Sequence, residues 1–563
     1  MKKQLQKIIY DVLLKLWPDS VIAIEDIELS YPPKNFGDYS TNIALKLASK
    51  VKQSPMAVAD KLRKDLMKNK RGDFKLIEIA KPGHINFYLS EKYLQDLIGI
   101  INEQGEEYGN SREKGEKVMI EYSQPNTHKE FHIGHLRNVS IGNTLVNVSR
   151  KAGYDTIAAN YIGDTGTHVA KCLWALNKFH TSESFEEKNN KAEFLGKVYS
   201  DAAQAIEGSE ENEKEFKEIQ KKFNEGDSKL IGLWKKTRQW SLDDFDSIYK
   251  KLGVSFDVCF YESEEEIEGK KILPELLEKK VVKKSKGAVI ADLEQYDLGI
   301  LVLMRGDGSV LYGLKDIPLA IKKFTKYKID RSIIVTDIRQ DLYFQQVFKI
   351  LELLGFDKNT IHIGYEFVSL KDGEEMSSRK GNVVSARELF SQVEEKIKKQ
   401  FPESVDLEKI SLGAIKFFIL KQSSRTKIEL DIDESIKING DTGPYVQYAL
   451  ARMNGILEKQ KEIELKGEKK IELLEHEKEL ELIRKLLKFP ELVEDIAQSY
   501  EVHQLPYYAI KLADLFHSFY HECKVLDEKN ANRSLARIEL VKAAKTVLTE
   551  TLRLMGVSAP NKM

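Results

Sequence analysis

The spacing of apolar residues changes twice along the 563 residues of this chain. In residues 1–112, apolar residues at helical spacing, among them Leu5, Ile9 and Val12, occur together with the short apolar runs KLIEIA and HINFYL. Apolar residues three or four positions apart are typical of amphipathic helices, and short apolar runs between turn residues are typical of strands. The first segment is therefore predicted to form a small α+β domain.

Residues 113–400 contain apolar runs that are each followed by a polar loop and a helical segment. Residues 118–122 form such a run, and residues 332–336 begin a second unit of the same kind. Repeated strand, loop, helix units predict a parallel sheet of the Rossmann type, with the loops gathered at the carboxyl ends of the strands. The charged and mostly helical sequence between the two units predicts a helical insertion at about residues 181–290.

Residues 401–563 keep helical spacing nearly throughout, and the block DTGPY at residues 441–445 is typical of a helix start. This third segment is predicted to be an all-α bundle. The chain as a whole is thus expected to be a multidomain α/β protein, in agreement with about 100 to 200 residues per domain.

Composition narrows the possible functions. Lys and Arg total 88 against 89 Asp and Glu, so no overall positive field attracts nucleic acid, and any RNA site must be a local patch. The three cysteines lie far apart and form neither a disulfide framework nor a zinc motif, which fits a reducing cytoplasm. No stretch approaches the ~18 apolar residues that a membrane span requires, so we expect no membrane partner.

The first candidate for chemistry is the loop after the run at residues 118–122. It carries His132-Ile133-Gly134-His135 at the start of the following helix. The free N–H groups of a helix start bind phosphate, and glycine lets a flat ring approach the backbone. Neutral imidazoles can donate to phosphate oxygens without a fixed charge. The loop therefore predicts a nucleotide site.

Two further stretches carry weaker signals. Tyr312 and Asp316 are four residues apart and would share a helix face, although an exposed Asp near a helix start is common. Residues 376–380, MSSRK, combine hydroxyls and cations that suit a polyphosphate, although surface loops of this composition are frequent. Asn86 and Phe87 suit stacking on unpaired bases, but aromatic residues in strands usually belong to the core.

Taken together, the ordered stretches resemble arginyl-tRNA synthetases, a family of class I aminoacyl-tRNA synthetases. GDYSTNIALKLAS and PGHINFYL are similar to the family's amino-terminal domain, and EYSQPNTHKEFHIGHLRN is similar to its form of the HIGH signature. NYIGDTG, YGLKD and DIRQDLYFQQVF match its second strand and substrate pocket. DTGPYVQYALAR, LFHSFYHECKVL and GVSAPNKM resemble its anticodon-binding domain.

The resemblance implies an enzyme that joins L-arginine to its tRNA through an arginyl-adenylate, with release of pyrophosphate and AMP. It implies ATP with Mg²⁺ carried on the phosphates, no structural metal, and a monomer in the cytoplasm. Residues 1–112 would be a tRNA-binding accessory domain, residues 113–400 the catalytic domain, and residues 401–563 the anticodon-binding domain.

The resemblance also assigns roles to individual residues. The predicted catalytic residues are Lys129, His132 and His135. The predicted arginine-binding residues are Glu121, Ser123, Asn126, His132, Tyr312, Asp316 and Gln340. The predicted ATP-binding residues are Phe131, His132, Gly134, His135, Met376, Ser377, Ser378, Arg379 and Lys380. The predicted tRNA-binding residues are Asn86, Phe87, Tyr445 and Met563.

The chain departs from the family pattern in several places. Ser378 stands where the KMSKS loop of class I enzymes usually has its second lysine, so we assign the missing charge to Lys129, with Arg379 and Lys380 as adjuncts. The other departures are Thr165, Gln124 and Tyr343, in place of a tryptophan, a serine and a histidine that are common in the family.

Three alternatives remain at this stage. A small nucleotidyltransferase could use the HIGH loop but would not need the helical bundle. A catalytically inactive RNA-binding paralogue could keep the bundle, and a class I synthetase for another amino acid, such as lysine, could keep both. A guanidinium offers five donors and a permanent charge, so the carboxylates Glu121 and Asp316 favour arginine.

Overall fold

The computed structural model describes residues 1–20, 22–68, 72–180, 190–370 and 384–563. These ranges form an α+β amino-terminal domain, a central domain on a parallel sheet and a helical carboxy-terminal domain. The fold class predicted from apolar spacing is therefore confirmed. No helix in the described ranges is long and apolar enough to cross a membrane.

The amino-terminal domain packs helices against an antiparallel sheet. Its elements are α1 (Lys2–Leu16), β1 (Tyr39–Thr41), α2 (Ile43–Ala48), α3 (Pro55–Lys68), β2 (Phe74–Ala80), β3 (His84–Leu89) and α4 (Glu91–Gln104). β3 lies between β1 and β2 and pairs with both. α1 buries Leu5, Ile9 and Val12, the apolar stripe that predicted it.

The central sheet is parallel throughout. Its strands are β4 (Lys117–Glu121), β5 (Asp155–Ile162), β6 (Val258–Tyr261), β10 (Arg331–Asp337) and β11 (Asn359–Tyr365), in the order β11, β10, β4, β5, β6. β4 therefore lies between β5, which follows it in the chain, and β10, which starts the second half. In open parallel sheets, ligands bind outside the carboxyl ends of the strands at such a reversal of strand order.

Helices and a small antiparallel sheet surround the central sheet. The helices are α5 (Ile133–Lys151), α6 (Thr167–Phe179), α7 (Lys191–Glu207), α8 (Glu210–Asn224), α9 (Ser228–Leu252), α10 (Glu262–Glu278), α11 (Tyr312–Lys326) and α12 (Asp341–Leu353). The small sheet consists of β7 (Lys283–Ser285), β8 (Ala288–Asp292) and β9 (Ile300–Met304).

The helical insertion is shorter than the predicted residues 181–290. The chain leaves the central sheet after β5 and returns to it at β6, so the inserted helices that the structure describes end with α9 at Leu252. A four-residue strand such as VCFY has too few positions to show a period of two. The sequence therefore could not separate this edge strand from the helices around it.

The carboxy-terminal part is helical apart from one small strand pair. Its helices are α13 (Ala386–Gln400), α14 (Leu407–Lys421), α15 (Ile432–Ser435), α16 (Gly443–Glu462), α17 (Glu477–Leu487), α18 (Phe489–Ser499), α19 (Gln504–Glu522) and α20 (Ala531–Leu554). β12 (Val368–Leu370) pairs in parallel with β13 (Ile428–Leu430) next to α5. One continuous apolar cluster joins the amino-terminal domain, α5 and the bundle.

Candidate active site

A cavity of about 650 Å³ opens at the carboxyl ends of β4, β5 and β10. Its wall comes from the loop after β4, the start of α5, α11 and the segment after β10. Among the residues predicted to bind arginine or ATP, those that line it are Glu121, Ser123, Asn126, His132, Gly134, His135, Tyr312, Asp316 and Gln340. The fold thus gathers residues from both halves of the central domain.

The two histidines cap the start of α5 with their own side chains. His132 accepts a hydrogen bond at Nδ1 from the Gly134 N–H (3.1 Å), and His135 accepts one at Nδ1 from the His132 N–H (3.1 Å). Their rings stack with centroids 3.9 Å apart. A neutral imidazole that accepts at Nδ1 carries its proton on Nε2, so both rings keep an N–H donor. A side chain at position 134 would clash with the His132 ring, because an added Cβ would lie 2.9 Å from it.

Burial keeps both rings neutral. It lowers the pKa of His132 to about 4, with a smaller contribution from Lys129, and it lowers the pKa of His135 well below its ordinary value. Burial removes the water that would stabilise a charged imidazolium, and a nearby cation repels it. Both effects favour the neutral imidazole. These groups can therefore donate to phosphate at neutral pH without carrying a charge themselves.

At the end of β4, the buried Glu121 carboxylate meets a lysine that sequence reasoning missed. Lys323 Nζ on α11 lies 2.7 Å from Glu121 Oε2, and both side chains are almost fully buried. Gln124 Nε2 donates to Glu121 Oε1 (3.2 Å), and Asn138 Nδ2 donates to Gln124 Oε1 (3.0 Å). The glutamine that departs from the family pattern therefore bridges β4 and α5.

Asp316 faces the cavity from α11 and accepts a hydrogen bond at Oδ2 from the Tyr343 hydroxyl. Tyr343 is the residue that replaces the family's common histidine, and it lines the same cavity. Burial, and then the charge of Glu121, raise the pKa of Asp316 to about 6. Tyr312 lies one turn earlier on the helix and is 55% exposed. Tyr312 and Asp316 lie on one helix and both line the cavity, so the prediction that they share a helix face is confirmed.

Glu262 is a cavity-lining carboxylate that the sequence did not indicate. It is the first residue of α10, directly after the short edge strand β6, and Lys315 Nζ lies 3.4 Å from its Oε2. Burial, and then the charge of Asp316, raise its pKa to about 7. The only signal in the sequence is a glutamate at a helix start, a position that acidic residues commonly occupy.

The wall of the cavity offers more acceptors than its own donors satisfy. Lys323 lies beside Glu121, and Lys315 lies beside Glu262 and Glu266, whereas Asp316 forms no salt bridge with a described residue. Two buried oxygens at this wall lack a hydrogen-bond partner among the described residues: Tyr161 Oη and Asp316 Oδ1. A buried acceptor without a donor costs about 1–3 kcal/mol. A cationic ligand with several N–H groups would satisfy these acceptors.

Three predicted residues lie differently from the expectation. Lys129 and Phe131 are not among the described residues that line the cavity: the Lys129 amine lies 5.0 Å from the Tyr199 ring centre, and Phe131 is buried. Ser123 lines the cavity, but its hydroxyl lies 2.6 Å from the Tyr249 hydroxyl. Both Lys129 and Ser123 therefore contact the inserted helices, which sequence reasoning left without a role.

The predicted tRNA contacts divide into two groups. Asn86 and Phe87 are buried in β3, at 3% and 0% exposure, and their contact with tRNA stays a prediction. Neighbouring residues of a strand face opposite sides of the sheet, so both sides of β3, the central strand, are covered at this point. Tyr445 donates to Asp514 Oδ1 (2.7 Å), and Met563 packs partly against the bundle core.

Met376, Ser377, Ser378, Arg379 and Lys380 lie outside the described residues, so their predicted contacts with ATP stay predictions. In the ranges that are described, no cluster of three or more histidine, cysteine or acidic side chains could hold a metal ion.

Three sequence families match consecutive parts of the chain. The family described as "tRNA synthetases class I (R), catalytic domain" matches residues 98–414. The arginyl-tRNA synthetase amino-terminal domain matches residues 3–89, and the DALR anticodon-binding domain matches residues 446–563. The order of these matches is the order of the three parts seen in the structure.

Curated relatives and solved structures agree with these matches. An arginine–tRNA ligase of Bdellovibrio bacteriovorus is 34% identical over 98% of this chain and 97% of that protein, and one of Treponema denticola is 33% identical over 99% and 98%. The fold is similar to that of the Thermus thermophilus arginyl-tRNA synthetase, with a TM-score of 0.83 at 24% identity over the full length of both chains. The chain belongs to the arginyl-tRNA synthetase family of class I aminoacyl-tRNA synthetases.

Proposed function

We propose that the 650 Å³ cavity is where this synthetase holds arginine and ATP side by side. Arginine would occupy the part lined by the carboxylates, and the phosphates of ATP would lie at the start of α5. The observation that carries the proposal is the buried Asp316 carboxylate, which has no salt bridge to a described residue and whose Oδ1, like the nearby Tyr161 hydroxyl, has no partner among the described residues. A guanidinium supplies the charge and the donors that these oxygens lack.

The same wall accounts for discrimination against lysine. A lysine side chain would bring one charge but only three donors from a single nitrogen, and it would leave buried acceptors unpaired. A site that hydrogen-bonds its substrate rejects an analogue lacking those groups by a large factor. Selection at the first binding step would therefore need no separate editing site.

Asn126 would position the other end of the amino acid. It forms a bridge with Gly163, and a Cβ at Gly163 would lie 2.3 Å from Asn126 Oδ1, so only glycine leaves this amide in place. The glycine of the NYIGDTG stretch thus has a steric role beside the cavity. Gln340 lines the wall after β10, on the opposite side of β4 from Asn126.

In the proposed reaction, a carboxylate oxygen of arginine attacks the α-phosphorus of ATP, and the bond from that phosphorus to the β-phosphate oxygen breaks. Pyrophosphate leaves, and a ribose hydroxyl of the terminal adenosine of tRNA then attacks the carbonyl carbon and releases AMP. No protein nucleophile is required, so the protein acts by positioning and by stabilising charge. The Nε2–H groups of His132 and His135 would donate to the phosphates.

Mg²⁺ would reach this site on the phosphates of ATP, where it offsets their negative charge. Mg²⁺ commonly keeps most of its waters and is bound by substrate phosphates with one or two carboxylates. Lys129 would add positive charge near the α5 start, since its charge contributes to lowering the pKa of both histidines. Arg379 and Lys380 remain proposed adjuncts.

The helical bundle offers a surface suited to tRNA. On it, the guanidinium of Arg452 lies 5.0 Å and 5.3 Å from the ring centres of Tyr448 and Tyr520, and Tyr520 is 41% exposed. Aromatic rings with an interleaved arginine are typical of surfaces that stack unpaired bases. Tyr445 and Met563 remain proposed contacts with the anticodon side of the tRNA.

We also propose that the protein works in the cytoplasm and as a monomer.

Pyrophosphate exchange into ATP tests the function directly. We expect the purified protein to catalyse exchange when arginine and an arginine-accepting tRNA are both present, and not when either is omitted. Exchange with lysine in place of arginine would overturn the substrate assignment. Failure with every amino acid, in a protein that still binds tRNA, would favour an RNA-binding paralogue without catalysis.

A further inference from the structure

One face of α9 carries four buried residues at four-residue spacing: Thr237, Ser241, Phe245 and Tyr249. Residues four apart lie above one another on a helix, so they form a single stripe. This stripe, here called the α9 stripe, points toward the loop that joins β4 to α5. The helix belongs to the insertion, whose part in the reaction neither the sequence nor the family matches explain.

The α9 stripe contacts the loop at successive points. Thr237 Oγ1 lies 2.8 Å from His128 Nε2, and Ser241 Oγ accepts a hydrogen bond from the His128 N–H at 2.9 Å. Both contacts fix the middle of the loop, next to Lys129. His128 is fully buried, and its Nδ1 lies 3.0 Å from Thr127 Oγ1, so both ring nitrogens are engaged.

Farther along the helix, the α9 stripe reaches both ends of the loop. The Phe245 ring lies 5.9 Å from the Phe131 ring, centre to centre, and the Tyr249 ring lies at the same distance from Phe131. The Tyr249 hydroxyl lies 2.6 Å from Ser123 Oγ and accepts a hydrogen bond from Asn160 Nδ2 at 3.1 Å. One helix face thus contacts the loop from its first residues to the residue before His132.

The loop needs such support because its backbone is strained. Ser123, Gln124 and His128 have φ angles of 82°, 45° and 62°, in a region that residues other than glycine rarely adopt. Such a backbone conformation is unfavourable for these residue types and persists only where the surroundings determine it. Two of the three, Ser123 and His128, are the residues that the α9 stripe hydrogen-bonds.

The helix is itself fixed to the sheet on another side. Arg238 Nε donates to Asp164 Oδ2 (2.7 Å), and Trp234 Nε1 donates to the Asp164 carbonyl oxygen (2.7 Å). Asp164 belongs to the turn after β5 and is completely buried. The α9 stripe therefore rests on a rigid base and can hold the loop against its own strain.

We propose that α9 fixes the conformation of the loop between β4 and α5, and that Thr237, Ser241 and Tyr249 are positioning residues for the aminoacylation reaction. None of the three lines the cavity within the described structure, so they act through Ser123 and His128. Through this loop, α9 would hold Asn126 and His132 in the positions that substrate binding requires. A displacement of about 1 Å in such groups can slow a reaction about 100-fold.

The test uses the full chain with Thr237→Val, Ser241→Ala and Tyr249→Phe, which each remove a hydroxyl and little volume. We expect the kcat of tRNA aminoacylation to fall about 10- to 100-fold, with tRNA affinity near that of the unmodified protein and a melting temperature that falls only by a few degrees. The separate variant Thr237→Ser keeps a hydroxyl at this position and should retain most of the kcat. Ser228→Ala removes an exposed hydroxyl from the same helix and should have no effect.

The inference rests on the proposed placement of the substrates, and the two fail in different ways. If the unmodified protein does not charge tRNA with arginine, the proposed function fails. If it does, and all three variants keep its kcat, the proposed positioning role of α9 is wrong. A fall in kcat that follows a loss of folded protein and that Thr237→Ser does not reverse would also overturn it, because it would show a merely structural contact.

Discussion

At the scale of single residues, the site depends on how buried charges are matched. Glu121 and Glu262 each have a lysine beside them, whereas Asp316 has a tyrosine hydroxyl. Lys323 and Lys315 neutralise part of the wall, so the arginine proposed to bind there would meet a moderate negative charge and not the full charge of three carboxylates. Isolated buried carboxylates would become protonated, because desolvation favours the neutral form.

The raised pKa values predict a pH dependence of arginine binding. The pKa of Glu262 is about 7 and that of Asp316 about 6, so both groups are charged above pH 7 and lose charge as the pH falls through these values. Arginine stays charged throughout. Its Kd, measured by calorimetry from pH 8 to pH 5.5, should rise toward acid, by up to about tenfold per pH unit between pH 7 and pH 6 and more steeply below pH 6, where both carboxylates take up protons.

Glu262→Gln provides the control for this titration. The variant should lose the part of the pH dependence near pH 7 and keep the part near pH 6, which belongs to Asp316. A Kd that stays constant over the whole range in the unmodified protein would show that neither carboxylate faces the bound guanidinium.

Lys129 is predicted to supply the phosphate charge that Ser378 cannot. Lys129→Ala should raise the barrier of adenylate formation by roughly 2 to 4 kcal/mol, as the loss of one oxyanion donor does, with little change in tRNA affinity. The rate of pyrophosphate exchange into ATP in the presence of tRNA measures the effect, and Lys129→Arg should retain most of the rate. An unchanged rate in Lys129→Ala would assign the charge to Arg379 or Lys380.

Sequence reasoning found the residues that belong to local motifs and missed those brought in by packing. The residues of the HIGH loop and the Tyr312–Asp316 pair line the cavity because their spacing already places them on one loop and one helix face. Lys323 and Glu262 reach the cavity only through the packing of α11 and α10 against the sheet. No local period records such contacts, so one sequence could not indicate them.

At the scale of elements, α5 is joined to the strand pair of β12 and β13 by one buried arginine. Arg137 is completely buried on α5, and its guanidinium donates to backbone carbonyl oxygens of two segments. The acceptors are the carbonyl oxygens of Glu366, Phe367, Ser423, Ser424 and Thr426, at 2.6 to 3.4 Å. These segments lead directly into β12 and β13.

Arg137→Leu should therefore destabilise the protein. The change would leave buried carbonyl oxygens without donors, each at a cost of about 1–3 kcal/mol, so we expect a total loss of roughly 3 kcal/mol or more. Differential scanning calorimetry should show a clearly lower melting temperature. Arg137→Lys should recover only part of it, because an ammonium cannot reach acceptors on two segments as a planar guanidinium does.

The neighbouring Arg425 gives a matched comparison for this variant. Its side chain is 65% exposed, and its guanidinium lies 3.5 Å from Asp341 Oδ2, so Arg425→Leu removes an arginine without uncovering buried acceptors. This change should alter the melting temperature little. Equal losses for Arg137→Leu and Arg425→Leu would show that the buried carbonyl contacts add no stability.

At the scale of the whole molecule, the last residue of α5 lies where the three parts of the chain meet. Lys151 Nζ donates to the Glu106 carbonyl oxygen (2.8 Å) and to Asn110 Oδ1 (2.9 Å), between the amino-terminal and central domains. It also forms a buried salt bridge with Glu550 on α20 (2.9 Å). The helix that begins at His132 and His135 therefore ends at this junction, so buried contacts of Lys151 connect all three parts of the chain.

The apolar spacing predicted three parts but could not predict this junction. Lys151 and Glu550 are separated by almost 400 positions and look like ordinary surface residues of two amphipathic helices. Charged residues are almost never fully buried unless they are paired, so a sequence alone assigns both residues to the surface. Only the structure shows that they form a buried pair.

Breaking the pair from either side should weaken the whole assembly. Glu550→Gln alone should cost about 3–5 kcal/mol, because it leaves the buried Lys151 ammonium without a carboxylate. Lys151→Met should cost less, because Glu550 keeps its salt bridge with Arg553, and the double variant should cost less than the sum of the two. Thermal unfolding of the four proteins gives the coupling energy, and Lys217→Met, which breaks an exposed pair with Glu213, should cost under about 1 kcal/mol. Purely additive losses would show that Lys151 and Glu550 stabilise their own helices independently and do not join the domains.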